Sequence, residues 1–181
     1  MKRSWLTIAT VAPLVFGAFG DAKADDKGQG QPRVLSMPEE GPEPSARPFH
    51  VNLEELVSKN RLYRDVIFTG RMSQIVLMSI PPGDHIGYET HDAVEQIFVI
   101  QAGNGRLTID GVTQDVGPGD VIVVTPGTPH DIVNTGEAPL QLYTIYTPPN
   151  HIAGRKHPTR EAAEADVEDE EFGRNVGQHK H

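Results

Sequence analysis

Two segments decide the fold of this 181-residue chain: GDHIGYETHDAVEQIFVIQAG at residues 83–103 and GDVIVVTPGTPHDIVN at residues 119–134. Both contain short runs of β-branched and aromatic residues bounded by Gly and Pro, which is typical of strands joined by tight turns. Glu89 and His91 are two positions apart, so their side chains point to the same face of an extended segment. His130 follows a Pro-Gly turn later in the chain. The two segments therefore predict β-structure that can gather polar side chains at one place.

Outward from these segments, the sequence predicts eight short strands separated by turn residues such as Asn104-Gly105 and Asp110-Gly111. The chain has 18 Gly and 15 Pro, a density that disfavours an all-α bundle. Short strands with tight turns favour a sandwich or a small barrel. The predicted strands cover residues 65–69, 74–80, 87–91, 95–101, 106–109, 120–125, 131–133 and 140–147.

The two segments resemble the paired motifs of the cupin superfamily. The first motif is written G-x5-H-x-H-x(3,4)-E-x6-G and the second G-x5-P-x-G-x2-H-x3-N. This chain keeps every spacing, but it carries Glu89 for the first His, Gln96 for the Glu and Thr125 for the Pro. The resemblance implies an all-β fold, a cupin jelly-roll β-barrel with an N-terminal extension and a short C-terminal helix and acidic tail. It is the pattern of a small single-domain bacterial cupin.

A divalent metal site is predicted at the matched positions. The resemblance implies one ion in the barrel mouth, bound by Glu89, His91, Gln96 and His130. These residues offer a carboxylate, two imidazoles and an amide oxygen, a set that suits Mn, Fe, Ni or Zn without choosing among them. Glu89 is also the candidate catalytic residue, as a proton acceptor.

Some assignments around this site stay open. Glu95 is an alternative third ligand, because the motif allows three residues as well as four after the second His; the distance to Gly103 favours Gln96. His85 lies two positions from Gly87 and is either a substrate contact or a surface residue. Tyr88 and Tyr143 are candidate phenols of the pocket. No function is assigned to the remaining histidines of the folded part, His50, His151 and His157.

The first 24 residues read as a bacterial signal peptide. Met1-Lys2-Arg3 is basic, an apolar run follows, and Ala22-Lys23-Ala24 offers small residues for cleavage before Asp25. The apolar run is shorter than the roughly 20 residues that a spanning helix needs. We therefore expect a periplasmic or secreted protein with no membrane contact after signal cleavage.

The rest of the chain divides into a linker, a barrel and a tail. The linker is rich in Pro and Gly and contains a short helix that Asn52 would cap. A second short helix is expected after Thr159, at the start of an acidic run from Glu161 to Glu171 that we expect to be solvated and partly disordered. The predicted bounds are 25–60 for the linker, 61–150 for the barrel and 151–181 for the tail.

Composition narrows the function. The formal net charge is −9, which repels phosphate backbones, so no nucleic-acid partner is expected. Cys is absent, which excludes disulfides and thiolate chemistry. The resemblance implies an exported metal-binding cupin that acts on a small organic substrate, by oxidation, isomerisation or a lyase reaction, and pairs as a homodimer. The alternatives are a non-catalytic cupin that binds a sugar or an aromatic acid, and a structural protein whose linker and tail make the contacts.

Overall fold

A computed structural model of the protein describes residue 45 and residues 47–176. The predicted signal peptide, most of the predicted linker before residue 47 and the last five residues lie outside the described residues. The signal peptide and its cleavage therefore stay predictions. Among the helices of the described part, none is long and apolar enough to cross a membrane.

Nine strands and three short helices make up the described fold, which is dominated by antiparallel β-structure. The helices are α1 (Leu53–Lys59), α2 (Arg160–Glu164) and α3 (Val167–Arg174). The strands are β1 (Arg64–Thr69), β2 (Gln74–Ile80), β3 (Glu95–Ala102), β4 (Gly105–Ile109), β5 (Val112–Val116), β6 (Val121–Val124), β7 (His130–Asn134), β8 (Leu140–Thr147) and β9 (Lys156–His157).

The strands form two sheets, as the predicted jelly-roll barrel requires. One sheet has the order β6-β3-β8-β2-β1-β9, and the other has the order β5-β4-β7. Strand β8 lies between β3 and β2, so its register aligns Gln96 of β3 and Gln74 of β2 with Tyr146. This row of three buried polar side chains crosses the inner face of the larger sheet and positions the site described below.

Alternation along the strands separates the core from the outer face. Leu140, Leu142, Thr144 and Tyr146 of β8 are buried, whereas the residues between them are only half-buried. The same parity places Phe98 and Ile100 of β3 in the core beside Gln96. The barrel interior is therefore apolar except at the end where the polar row lies.

Both predicted helix caps are confirmed. Asn52 Oδ1 accepts a hydrogen bond from Glu55 N at 3.1 Å at the start of α1. Thr159 Oγ1 accepts one from Ala162 N at 3.2 Å at the start of α2. In each case the cap satisfies a backbone amide that has no partner inside the helix.

One strand prediction is wrong, and two strands, β5 and β9, were not predicted. Residues 87–91 form no regular strand and pair with β7 through the single bridge between Glu89 and His130, because Gly87 adopts a φ of +99° that interrupts the extended backbone. Strand β5 was not predicted, since four of its five residues are exposed and it lacks the apolar alternation of a half-buried strand.

The expectation of a partly disordered acidic run is wrong for its second half, and the expectation that the run is solvated is wrong for Asp169. Helix α3 begins after Asp166, whose side chain accepts a hydrogen bond from Asp169 N, and packs back on the barrel. Asp169 is 1 % exposed. The tail is thus part of the folded unit, and one of its carboxylates belongs to the interior.

We predict that Gly103→Ala destabilises the fold more than Gly111→Ala. Both glycines have a positive φ, +87° and +75°, so both variants carry the same backbone strain. A Cβ on Gly103 would lie 2.8 Å from Pro139 O, whereas nothing lies within 4 Å of a Cβ on Gly111. We expect an additional loss of about 1–3 kcal/mol in the free energy of unfolding, measured by urea denaturation. Equal losses in the two variants would contradict this packing.

Candidate metal centre

The candidate centre lies where the 83–91 segment runs beside β7. Glu89 N donates to His130 O and His130 N donates to Glu89 O, both at 3.0 Å, so the two residues are held directly opposite each other. His91 O accepts from Gly127 N at 2.9 Å, which fixes the Pro-Gly turn against the same segment. Backbone pairing, rather than side-chain contact alone, therefore brings both halves of the sequence pattern together.

All four predicted ligands meet here. Glu89 Oε1 lies 3.2 Å from His91 Nε2 and 3.3 Å from His130 Nε2. Gln96 Oε1 lies 3.0 Å from His130 Nε2. The ligand atoms of Glu89, His91 and His130 all lie within 4.8 Å of one another, and this group could hold a metal ion. Gln96 is 1 % exposed, whereas Glu95 is exposed and points away from the group.

The hydrogen-bond chemistry of this group calls for a cation. His130 Nδ1 lies 3.0 Å from Thr128 O, a carbonyl that can only accept, so Nδ1 carries a proton and, when the ring is neutral, Nε2 is a bare acceptor. That Nε2 faces two oxygens that also only accept, Glu89 Oε1 and Gln96 Oε1. His91 Nε2 is buried and makes no hydrogen bond within the described part of the chain. With His130 neutral, lone pairs of these residues converge on one point and a divalent ion would satisfy them, so the residues fit a metal.

The close approach of these side chains also shifts the pKa values of Glu89 and His130. Burial opposes ionisation of Glu89, yet the neighbouring imidazoles of His130 and His91 outweigh it and lower the pKa of Glu89 well below its usual range. Burial also opposes a charged His130, but the Glu89 carboxylate raises the pKa of His130. Glu89 is therefore ionised at neutral pH, as a metal ligand must be.

A cavity of about 360 Å³ opens onto Glu89 and His91. The side chain of Glu89 is 25 % exposed, whereas His130 is fully buried behind it. Neither Tyr88 nor Tyr143 is among the residues that line the cavity. The phenol beside the site is Tyr146, whose ring lies 5.9 Å from that of His91. Strand parity could have identified Tyr146, because it shares the inner face with Leu140 and Leu142.

His85 belongs to another part of the surface. Its Nδ1 lies 3.1 Å from Asp131 Oδ2, its side chain is 35 % exposed, and it does not line the cavity. Its side chain therefore contacts Asp131 at the surface and does not face the cavity.

A second polar cluster was missed by the sequence analysis. His151, which received no function, is 5 % exposed and lines the same cavity. Gln74 holds its segment in place: Gln74 Oε1 accepts from Asn150 N at 3.2 Å and from His151 N at 3.0 Å, and Gln74 Nε2 donates to His151 O at 2.7 Å. The His151 ring packs edge-on against Tyr146 at 5.1 Å, so Tyr146 contacts both clusters.

Asp169 of α3 completes the second cluster. Its Oδ2 accepts from His151 Nδ1 at 2.8 Å and lies 3.4 Å from Arg64 Nη1, while its Oδ1 accepts from Ile152 N at 2.7 Å. Burial opposes its ionisation, but the contact with His151 lowers the pKa of Asp169. A buried carboxylate shared by Arg64 and His151 thus ties the tail to the barrel.

Comparisons with known proteins agree with the fold. The family model described as a cupin domain matches residues 76–146. The chain is 37% identical to the uncharacterised protein YrkC of Bacillus subtilis over 149 residues, which cover 78% of this chain and 77% of that protein. It is 38% identical to protein L612 of Acanthamoeba polyphaga mimivirus, over 59% of this chain and 69% of that one. The crystal structure of BH2720 from Bacillus halodurans is similar with a TM-score of 0.65 and 36% identity, covering 66% of this chain and 96% of that one.

We predict that acidification destabilises the fold through His151. Burial and the Arg64 guanidinium lower the pKa of His151 to about 4, against about 6.5 in the unfolded chain. Between these values the unfolded state binds more protons, so the free energy of unfolding falls as pH decreases from 6.5 to 4. We expect this residue to account for up to about 3 kcal/mol, measured by urea denaturation across that range. His151→Gln should flatten the dependence, and an unchanged slope in that variant would contradict the assignment.

Proposed function

The chain belongs to the cupin superfamily, and we propose on that premise that it is a metal-binding protein that takes a small organic molecule into its barrel mouth. One observation carries the proposal: Glu89 Oε1 and Gln96 Oε1 converge on His130 Nε2, at 3.3 Å and 3.0 Å, and this nitrogen is a bare acceptor when the ring is neutral. Glu89, His91 and His130 would hold the ion, with Gln96 as a neutral fourth ligand. Mixed nitrogen and oxygen ligands suit Mn, Fe, Ni or Zn.

The chemistry divides between the ion and the chain. When bound, such an ion supplies Lewis-acid or dioxygenase-type chemistry, which supports an oxidation, an isomerisation or a lyase reaction. Glu89 is ionised, and its partly exposed carboxylate is the group that would accept a proton from the bound molecule. The buried ring of Tyr146 lies 5.9 Å from that of His91, and the buried ring of Phe98 lies 5.8 Å from that of His130, so each imidazole has an aromatic neighbour on its inner side.

A non-catalytic binding protein is the second candidate. The polar cavity beside Glu89 would hold a sugar or an aromatic acid equally well without turnover. Turnover of diketones, catechols and uronic acids separates the two functions, since saturable binding by metal-loaded protein with no product would favour the binding protein. In either case we propose that residues 1–24 direct export and that the ligand is met in the periplasm or outside the cell.

We predict that His91→Ala and His130→Gln lower bound metal at least about tenfold, from roughly one ion per purified chain. Each substitution removes one imidazole from the group. The measurement is metal analysis by mass spectrometry on tag-free protein. Glu89→Ala should have the same effect and also remove the ionised carboxylate.

His85→Ala is the matched control, because it removes a half-exposed imidazole that pairs with Asp131 outside the group. This variant should keep the wild-type metal content. Far-UV circular dichroism checks that the His130 variant is folded, since that side chain is fully buried. Wild-type metal content in all three site variants would refute the metal centre.

We also propose that two copies pair through the outer face of the larger sheet. Val121 and Val123 of the edge strand β6 are 61 % and 50 % exposed. Their β3 partners, Val99 and Ile97, are apolar and half-buried, so the exposed patch continues inward from the edge. An apolar patch at an unpaired sheet edge is a surface that soluble proteins usually cover.

We therefore predict that the protein is a dimer and that the double variant Val121→Lys/Val123→Lys is a monomer. Two charges on this face would have to be buried in the dimer. Light scattering should give twice the mass of the chain for wild type and the mass of one chain for the variant. Val112→Lys, at a 64 % exposed site on β5 of the other sheet, should remain dimeric. A monomeric wild-type protein would rule out the dimer.

A further inference from the structure

The cavity beside the candidate metal centre has a second wall that lies outside the residues matched by the cupin family model. One wall is formed by Glu89 and His91. The opposite wall is formed by Arg64 of β1 and by the C-terminal segment, chiefly Asn150, His151 and Asp169. A molecule that enters the cavity therefore meets both the metal centre and this second wall.

Three buried atoms of the second wall have no hydrogen-bond partner in the described part of the chain: Arg64 Nε, Asn150 Oδ1 and His151 Nε2. Their residues are 6 %, 4 % and 5 % exposed. Leaving a buried polar atom unpaired is costly, and native proteins rarely do so without a reason. Three such atoms beside one cavity point to a ligand that completes their hydrogen bonds.

The tautomer of His151 defines what that ligand must offer. His151 Nδ1 lies 2.8 Å from Asp169 Oδ2, which is an ionised carboxylate and can only accept, so Nδ1 carries the proton. Burial and Arg64 keep the ring neutral by lowering the pKa of His151 to about 4. His151 Nε2 is therefore a bare acceptor, like Asn150 Oδ1. Both require a donor such as a hydroxyl group.

Arg64 requires that the ligand also carry a group that accepts a hydrogen bond. Its Nε is a charged donor, and its contact with Asp169 is a single long one, from Nη1 at 3.4 Å. A carboxylate matches the planar guanidinium and would satisfy the free Nε. Two guanidiniums, Arg64 and Arg174, line the cavity against four carboxylates, Glu89, Asp92, Asp169 and Glu170. The excess negative charge would repel a dianionic phosphate more than a singly charged acid.

We propose that the cavity binds a small hydroxy acid, whose carboxylate pairs with Arg64 and whose hydroxyl donates to His151 Nε2. The proposal rests on the proposed function, since it names the class of molecule that reaches the metal centre. Asn150 Oδ1 accepts from a further hydroxyl where the acid carries one. Asp169 is a positioning residue that holds the His151 ring in the accepting tautomer.

Isothermal titration with matched probes tests both requirements on the full chain as purified. L-Lactate differs from propionate only in its hydroxyl, and D-gluconate differs from sorbitol in its carboxylate. We expect lactate to bind at least about tenfold more tightly than propionate, and gluconate at least about tenfold more tightly than sorbitol. No binding of either acid up to 20 mM, or equal binding within either pair, would overturn the proposal.

Two variants test whether Arg64 binds the carboxylate and whether His151 binds the hydroxyl. Arg64→Gln should weaken both hydroxy acids at least about tenfold. His151→Phe keeps a planar ring but removes the acceptor, so it should abolish the preference for lactate over propionate. A ratio between two ligands would not change if His151 only supported the fold. Since the wild-type comparison needs no variant, misfolding of Arg64→Gln leaves the proposal testable.

Metal analysis of the same samples separates the two proposals. Neither Arg64 nor His151 belongs to the metal group, so both variants should keep the wild-type metal content. If metal-loaded protein binds neither acid, the hydroxy-acid proposal is overturned and the metal centre is still supported. If the purified wild-type protein contains no metal but still binds one member of each probe pair more tightly, the metal centre is overturned and the hydroxy-acid cavity is supported.

Discussion

The rest of the site depends on one hydrogen bond, from His130 Nδ1 to Thr128 O at 3.0 Å. This bond fixes the imidazole so that Nε2, which carries a lone pair when the ring is neutral, faces Glu89 Oε1 and Gln96 Oε1. The Pro-Gly turn supplies the carbonyl, and the bridge between Glu89 and His130 holds the two chain segments in register. A β-shell with its interior otherwise apolar thus gathers acceptors at one point, where a positive charge is needed.

The register of the larger sheet extends this arrangement to the C-terminal segment. Gln96, Tyr146 and Gln74 form one row across β3, β8 and β2. Gln96 faces the metal group, while Gln74 holds the backbone of Asn150 and His151. Helix α3 then adds Asp169, which orients His151 and contacts Arg64. The cavity therefore lies between two polar clusters that one row of side chains joins. Each cluster contains buried polar atoms without a hydrogen-bond partner in the described part of the chain.

The resemblance of the two motif segments to the cupin pattern implied the jelly-roll barrel and named the four residues that converge. Gln96 was favoured over Glu95 by its distance to Gly103, and the structure buries Gln96 and exposes Glu95. The second cluster could not be predicted this way, because it depends on pairing between Arg64 and Asp169, which are 105 positions apart. Nothing local distinguishes Asp169 from the other acidic residues of its run. Strand β5 was missed because its exposed residues show no apolar periodicity. The break at Gly87 was missed because a positive φ leaves no sign in the pattern of apolar residues.

Metal-specific anomalous scattering from crystals of the purified protein tests the central claim most directly. The account predicts one anomalous peak bounded by Glu89 Oε1, His91 Nε2 and His130 Nε2, with each distance near 2.0–2.3 Å. Gln96 Oε1 should lie beside the peak. Crystals grown with Mn, Fe, Ni or Zn present that show no peak there, with Glu89 Oε1 hydrogen-bonded to a protonated His130 instead, would contradict it.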